Sequence, residues 1–230
     1  MTTFQRARSE EQREVRRRAI LDAAAAMLAE MPVAQVTLNE LSRRVGLAKS
    51  NVLRYFESRE AVLLELLDSA WQEWLTTLEA DLDGAVDPTA PPAGRGDQLA
   101  AGLAASLAAR PVLCDLLSAQ AAVLERNVSP GVAATYKRAA LADVTRLGRL
   151  IHRYLGELGD HDAERLAAGA VLVAGALWAH AQPSAAVLAA YEADPALAAM
   201  RTDFPATTRE VLEVLIAGLL ARSSRSPGAR

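Results

Sequence analysis

The chain has 230 residues, of which 51% are hydrophobic, so it is long enough to bury a sizeable core in one large domain or two small ones. Aromatic residues make up only 4%, and Val, Ile and Thr form no alternating runs, which argues against a β-sheet protein. The single cysteine excludes an internal disulfide, and the N-terminus lacks the apolar core of a signal peptide. We therefore expect an all-α protein in the reducing cytoplasm.

Charge is divided unevenly along the chain. Residues 1–60 carry 11 Lys and Arg against 8 Asp and Glu, whereas the remainder carries 14 against 20. Only the N-terminal part is therefore suited to a polyanion. The most apolar stretch, residues 166–181, is too short to span a bilayer and consists mainly of Ala and Gly. It predicts a helix buried in protein, and no membrane partner.

The first predicted helix extends from about Glu10 to Glu30, and Pro32 follows it as a residue that cannot continue a helix. Its apolar residues recur with the spacing of one buried helix face, at Ile20, Ala23, Ala24, Met27 and Leu28. This pattern predicts an amphipathic helix that packs on the elements after it.

Two short helices are predicted next. Thr37 and Glu40 have the spacing of a capping box, so a second helix should begin at Thr37 or Leu38. Gly46 is suited to the left-handed conformation that ends a helix, and a third helix should begin near Ala48. The predicted buried positions of the second helix are Leu38, Leu41 and Val45.

Ser58 is placed to cap a fourth helix. The apolar stripe of this helix lasts about four turns, at Leu63, Leu66, Leu67, Ala70, Trp71, Trp74, Leu75 and Leu78. Residues 83–97 concentrate prolines and glycines, which predicts a loop. Asp97 is then expected to cap the next helix.

Beyond the loop, caps, prolines and glycines divide the chain into further helices. We expect them at residues 97–109, 111–126, 130–158, 161–181 and 205–221, with a short helix near 185–191. The fold class is thus all-α with about nine helices. The predicted domains are a three-helix N-terminal domain (1–60), a larger C-terminal helical bundle (61–222) and a disordered tail (223–230).

The third helix has one apolar and one polar side. On a wheel of about 100° per residue centred on Val52, the buried side also includes Ala48, Tyr55 and Phe56. The other side carries Lys49, Ser50, Asn51, Leu53 and Arg54, a set that contains no acid. Two short helices joined by a glycine and braced by another helix form a helix-turn-helix, whose later helix enters the major groove of DNA.

The polar side has the chemistry of a base-reading surface. Arg54 can bind a guanine edge with two hydrogen bonds, Asn51 can pair with adenine, and Leu53 can contact a thymine methyl. Lys49 and Tyr55 are better placed for phosphates. The alternative is a polar surface turn on a helical bundle, which the coincidence of a cap, a glycine and an acid-free face disfavours.

The segment "TLNELSRRVGLAKSNVLRYFESREAVLLELL" (37–67) resembles the N-terminal domain of the tetracycline-repressor (TetR) family of bacterial transcription regulators. The resemblance covers about residues 13–67. It implies phosphate contacts from Thr37, Lys49, Tyr55 and Arg59, and base contacts from Ser50, Asn51 and Arg54. The predicted DNA-binding residues also include Leu53, Arg43 and Arg44. The family commonly has tyrosine in place of Leu53 and often an aromatic in place of Arg54, so the operator cannot be copied from a relative.

Arginines are dense at the start of the chain, at Arg6, Arg8, Arg13, Arg16, Arg17 and Arg18. They are suited to an arm that lies along phosphates or in the minor groove of DNA. The alternative is a solvated helix start in which these arginines alternate with Glu10, Glu11 and Glu14.

By the same resemblance, the C-terminal bundle forms a homodimer and binds a small-molecule effector. The helices at 161–181 and 205–221 of two subunits would form a four-helix interface. The candidate effector-pocket residues are Trp71, Trp74, Cys114, Gln120, Tyr136, His152 and Trp178. Core packing is an alternative role for Trp71 and Trp74, and a structural role is an alternative for His152.

The expected function is that of a repressor that binds a pseudo-palindromic double-stranded operator and is released by a small, largely apolar effector. The sequence contains no nucleophile with a base at recognisable spacing, no phosphate-binding glycine loop and no metal-ligand motif. We therefore expect no enzyme activity, no cofactor and no metal site. The alternative is an activator, or a helical protein-interaction module, that does not use ligand-induced release.

Overall fold

The computed structural model describes residues 3–224, with side chains from Glu10 onward. Within this range the chain forms eleven α-helices and no β-strand, which confirms the all-α fold and adds two helices to the predicted nine. The predicted disordered tail (223–230) is wrong at Ser223, which ends the last helix. Residues 225–230 and the side chains of Arg6 and Arg8 lie outside the described part.

The chain forms two compact units. The first contains the residues up to Ser69 together with Ala119–Lys137. The second contains Ala70–Ser118 and the residues from Arg138 onward. A segment from the middle of the chain therefore packs with the N-terminal helices, which no local sequence pattern predicted.

The first unit is built on four helices. They are α1 (Thr3–Glu30), α2 (Leu38–Val45), α3 (Lys49–Val52) and the start of α4 (Arg59–Ala85), with a 3-10 turn at Val33–Gln35. The α1 helix begins earlier than predicted, but its fully buried side chains begin only at Ile20 and continue through Ala24 and Met27. From Glu10 to Ala19 the side chains of α1 are therefore mostly solvent-exposed.

The predicted caps of α2 and α4 are confirmed. The Thr37 hydroxyl accepts a hydrogen bond from the Glu40 amide at 3.2 Å, and the Ser58 hydroxyl accepts one from the Ala61 amide at 3.1 Å. Gly46 ends α2 with φ = 68°, in the left-handed region. The Glu40 carboxylate, however, binds arginines of its own helix rather than returning to the cap.

The predicted buried faces are correct in part. Leu41 and Val52 are fully buried. Leu38 and Val45 are only half-buried, because α2 has few turns and lies at the surface of the unit. Ala48 was expected on the buried side and is instead exposed, because it precedes the first turn of α3 and does not follow the wheel of that helix.

The remaining helices are α5 (Pro92–Ala108), α6 (Pro111–Ala119), α7 (Pro130–Tyr154), α8 (Asp160–Ala181), α9 (Ala185–Ala193), α10 (Pro195–Ala198) and α11 (Phe204–Ser223). A π-helical turn, Gln120–Leu124, continues α6. Within the second unit, α11 packs against α5 and α8. The buried Trp74 joins α4 to α5, because its indole N–H donates to the Ser106 hydroxyl at 2.9 Å.

The predicted loop over residues 83–97 is correct only for residues 86–91, which lie outside any helix. The α4 helix continues to Ala85, and α5 begins at Pro92, where proline is tolerated because a first-turn amide needs no helical acceptor. Asp97 therefore lies inside α5 and does not cap it. A Cβ at position 96 would lie 2.7 Å from Cγ2 of Ile216. The absence of a side chain at Gly96 therefore permits the close approach of α11.

No single helix within residues 3–224 is long and apolar enough to cross a membrane. Two sharply bent helix pairs, α5 with α6 and α8 with α9, reach that length and composition only when each pair is counted together.

Candidate nucleic-acid interface

The polar side of α3 forms a continuous exposed surface, which we call the recognition face: Lys49, Ser50, Asn51, Leu53 and Arg54. Backbone hydrogen bonds extend the turn past the end of α3, with the Leu53 amide bound to Lys49 O at 3.0 Å. Val52 and Phe56 hold the other side in the core, at 0% and 5% exposure. The face carries two cations and no carboxylate.

Acids near the recognition face are held by arginines. Glu40 accepts hydrogen bonds from Arg43 Nη2 at 2.6 Å and from Arg44 Nε at 3.1 Å. Arg44 also binds both carboxylate oxygens of Glu30, at 2.9 and 2.6 Å, and so ties α2 to the end of α1. Arg43, followed by Arg44, lowers the pKa of Glu40 to about 2, and Arg44 lowers the pKa of Glu30.

The side chains predicted to contact DNA therefore differ in their exposure and in the partners that they already bind. Thr37 is exposed and Tyr55 is half-buried. The Arg43 side chain is exposed despite its ion pair, whereas Arg44 is largely covered. Arg59 is also covered, because its Nη1 donates to the Val36 carbonyl at 2.8 Å and its Nε lies 3.2 Å from Glu60. Arg44 and Arg59 could offer all their N–H donors to DNA only after breaking the hydrogen bonds to these partners.

A groove of about 970 Å³ lies beside the recognition face. It is lined by Glu11, Gln12, Arg13, Val15, Arg16, Ala19, Arg54 and Tyr55. Three arginines of the lining, Arg13, Arg16 and Arg54, outnumber its single acid, Glu11. The exposed turns of α1 and the residues just after α3 therefore form one basic surface.

Not every arginine of the predicted arm contributes to this surface. Arg17 turns inward, where it forms an ion pair with Glu65 and its guanidinium carbon lies 4.5 Å from the centroid of the Phe56 ring. Arg18 lies 3.4 Å from Asp22 on the outer side of α1. Arg17 is thus a structural link between α1, α4 and the residues after α3. No local pattern could predict this contact, since Glu65 is 48 residues away.

The segment after α6 contacts the helix-turn-helix directly. One carboxylate oxygen of Glu57, in the turn before α4, accepts a hydrogen bond from the Ser129 amide at 2.5 Å. In the same segment, Glu125 binds Gln120 and Lys137, at 2.8 and 2.7 Å. These contacts hold residues 119–137 within the first unit.

The seven candidate effector residues are divided between the two units. Gln120 and Tyr136 belong to the first unit, and the remaining five belong to the second. Trp71 and Trp74 pack edge to face with centroids 5.3 Å apart, and Trp178 packs in the same way on Phe204. The aromatic candidates of the second unit therefore already have aromatic partners.

The polar candidates of the second unit are also bound within it. Cys114 is buried, and its thiol donates to the Leu107 carbonyl at 3.3 Å. His152 Nδ1 donates to the Leu158 carbonyl at 2.7 Å, an interaction that holds the end of α7. Two surface grooves of this unit, of about 230 and 210 Å³, are lined by other residues. Within the described residues, no three His, Cys, Asp or Glu side chains are grouped as metal ligands.

Comparison with known proteins finds family matches over most of the chain. Residues 20–66 match a family described as bacterial regulatory proteins, tetR family. Residues 68–223 match a family described as tetracyclin repressor-like, C-terminal domain. A comparison with curated proteins found no match.

Solved structures share the fold at low sequence identity. A Streptomyces coelicolor A3(2) protein, described as a possible TetR family transcriptional regulator, has a TM-score of 0.55 at 20% identity, over 90% of this chain and 99% of that one. The fatty acid degradation regulator FadR from Bacillus halodurans has a TM-score of 0.53 at 17% identity, over 87% and 98%. Since the two family matches together extend from residue 20 to residue 223, the chain belongs to the tetR family of bacterial regulatory proteins.

Proposed function

We propose that the chain is a homodimeric transcription regulator that represses from a pseudo-palindromic operator and is released by a small, largely apolar effector. Members of its family are DNA-binding regulators and not enzymes. The observation that carries the proposal is the recognition face, where donors and cations are exposed and no acid opposes them. The carboxylates of Glu40, on α2, and Glu30, at the end of α1, are neutralised by Arg43 and Arg44.

Each exposed side chain has a role suited to its chemistry. Arg54 reads a guanine through two hydrogen bonds and Asn51 reads an adenine. The Ser50 hydroxyl can bind a donor or an acceptor on a base edge. Leu53, with 41% of its surface exposed, contacts a thymine methyl. Phosphate contacts are assigned to a separate set, which fixes the register on the duplex: Thr37, Arg43, Lys49 and Tyr55.

A homodimer follows from the small size of α3. One turn of helix reads only a few base pairs, and a two-fold pair on a palindrome doubles the recognised sequence. The helices α8 and α11 supply the interface in this proposal. Exposed apolar side chains on both helices support this interface. In one protomer the exposure is 75% for Leu172 of α8, and 68% and 36% for Val214 and Leu215 of α11.

Effector control requires a connection between the two units. Two features support one: α4 is a continuous helix from Arg59 to Ala85, and the segment 119–137 reaches the turn before α4 through Glu57 and Ser129. An effector that shifts α4 or α6 in the C-terminal bundle would change the spacing of the two recognition faces. Because this coupling is thermodynamic, operator DNA must equally weaken effector binding.

The first experiment is selection of bound sites from a pool of random double-stranded DNA. The expected product is a palindrome with half-sites about one helical turn apart. Affinity for that site should fall steeply with salt, because each neutralised phosphate contributes about −0.9 to the slope of log K against log salt. A protein-interaction module would enrich no sequence and show little salt dependence.

Release and repression need a second experiment on the selected site. Transcription from a promoter that contains the operator should fall when the protein is added. Small apolar compounds are then screened for those that restore transcription and dissociate the protein from labelled operator. A rise in transcription on adding the protein would establish an activator, and the failure of every dissociating compound to restore transcription would reject control by release.

A further inference from the structure

Residues 184–200 form an arm that connects α8 to α11. It consists of α9 and the short α10, which pack against each other. Both helices are capped: the Ser184 hydroxyl accepts from the Val187 amide at 3.4 Å, and the Asp194 carboxylate accepts from the Ala196 amide at 2.8 Å. Neither helix contains a buried residue. The arm is thus regular in structure without contributing to the core of its own chain.

The composition of the arm does not fit a solvated surface. Its only charged side chains are those of Glu192, in α9, and Asp194, between the two helices, and most other residues are Ala. Its large apolar side chains are exposed, with Val187 and Leu197 at 39% and Met200 at 69%. A helix that is apolar on all sides is normally buried, and an isolated helix of nine residues is marginal in water. Another surface must therefore cover it.

The position of the arm indicates which surface covers it. It leaves the end of α8 and enters the start of α11, the two helices assigned to the dimer interface. Those helices expose three large apolar side chains, which is little for a stable interface of about 800 Å² per partner. The arm doubles that number. It carries no cation, so nucleic acid is a poor partner for it.

We infer that the arm packs against a second copy of this chain, as a continuation of the interface between α8 and α11 of the two protomers. This inference rests on the proposed homodimer and adds a second contact element to it. Each protomer extends its arm over the other, so the apolar side chains Val187, Leu197 and Met200 lose their exposure only on association. The dimer is then more stable than the packing of α8 and α11 alone would make it.

The direct test measures dimer dissociation by analytical ultracentrifugation. The double variant Val187→Glu/Met200→Glu should raise the dissociation constant at least about tenfold, since charges would be buried in an apolar contact. Circular dichroism of the monomer should be unchanged, because neither side chain is buried in the protomer. The matched control is Leu141→Glu, an equally exposed leucine on α7 at 68%. A double variant that dimerises as the wild type does, or a control that weakens the dimer equally, would overturn the inference.

A cross-linking experiment identifies the surface under the arm. A benzophenone amino acid replaces Leu197, and chains with natural and heavy nitrogen isotopes are mixed and irradiated. Peptides that join a light arm to heavy α8, α11 or arm residues are expected. Cross-links within one chain only would exclude a second copy as the cover. So would a protein that co-sediments with phosphatidylglycerol vesicles and loses its intermolecular cross-links when they are added.

These measurements use no DNA, so they separate the two proposals. A dimer with intermolecular arm cross-links that selects no operator would refute the proposed function and leave the arm contact standing. A protein that selects a palindrome while the arm variants remain dimeric would refute the arm contact alone.

Discussion

The guanidinium of Arg17 lies over the ring of Phe56, with 4.5 Å between its central carbon and the ring centroid. The same guanidinium forms an ion pair with Glu65. One side chain of α1 therefore holds both α4 and the aromatic residue that follows the recognition face. This contact fixes α3 relative to α1 from the side opposite to the exposed surface.

Removing this contact should destabilise the first unit. Arg17→Ala is expected to lower the free energy of unfolding by about 1–2 kcal/mol, because Glu65 is left partly buried without its partner and the ring contact is lost. Urea unfolding followed by circular dichroism measures the change. Arg18→Ala is the matched control, since its exposed pair with Asp22 should contribute less than about 0.5 kcal/mol. Equal effects of the two variants would contradict the structural role of Arg17.

The ion pairs of Glu40 should make stability depend on acid pH. The pKa of Glu40 is lowered from 4.5 to about 2 in the folded chain, so its pairs with Arg43 and Arg44 stabilise the fold above pH 4.5. That stabilisation is lost as the pH falls from 4.5 towards 2. The melting temperature of Glu40→Gln should therefore lie below that of the wild type at pH 6, and the difference should shrink towards pH 2. A difference that does not vary with pH would show that the ion pairs contribute nothing.

Gly96 should not tolerate a larger residue. In Gly96→Ala, the new Cβ would meet Cγ2 of Ile216 at 2.7 Å, which should cost about 1–3 kcal/mol through overpacking of α5 on α11. Ile216→Leu removes the branched methyl at that point, so the double variant should recover part of the loss. Thermal unfolding of the four proteins gives the coupling energy. Additive effects of the two substitutions would contradict a contact between these positions.

The two cations of the recognition face should affect DNA binding differently. Arg54→Ala should cost about 1–3 kcal/mol on the selected operator and less on unrelated DNA, because a base contact is lost. Lys49→Ala should weaken binding to all sequences and reduce the salt slope by about 1. Fluorescence anisotropy at several salt concentrations distinguishes them, with the exposed Arg138→Ala of α7 as the control. A uniform loss in Arg54→Ala would assign Arg54 to phosphate instead.

Cys114 should be chemically inert in the native protein. Burial raises the pKa of its thiol to about 12, with Arg110 opposing the shift and Asp115 adding to it, so the reactive thiolate is scarce at pH 8. Reaction with a disulfide reagent should be slow in the native state and rapid in urea. Rapid labelling of the native protein at pH 8 would show that α6 opens readily.

Much of the candidate site follows from local sequence rules. The Thr37 cap, the Gly46 turn and the Ser58 cap depend on hydrogen bonds between residues three or four apart, and all three are present. The acid-free recognition face likewise follows from helical spacing around Val52. Local rules misplaced the ends of the loop predicted at residues 83–97. Gly96 lies inside α5, where its place is decided by the packing of Ile216, which is distant in the sequence.

The sequence by itself determined the helices of the DNA-binding unit and the residues exposed on α3, because backbone hydrogen bonds and helical periodicity act within a few residues. Only the tertiary structure decided which arginines are free. Arg17, Arg44 and Arg59 have the same chemistry as Arg54, but each finds an acceptor on another element, in Glu65, Glu30 and the Val36 carbonyl. Long side chains bind the partner that packing brings within reach, and that partner lies outside any local pattern.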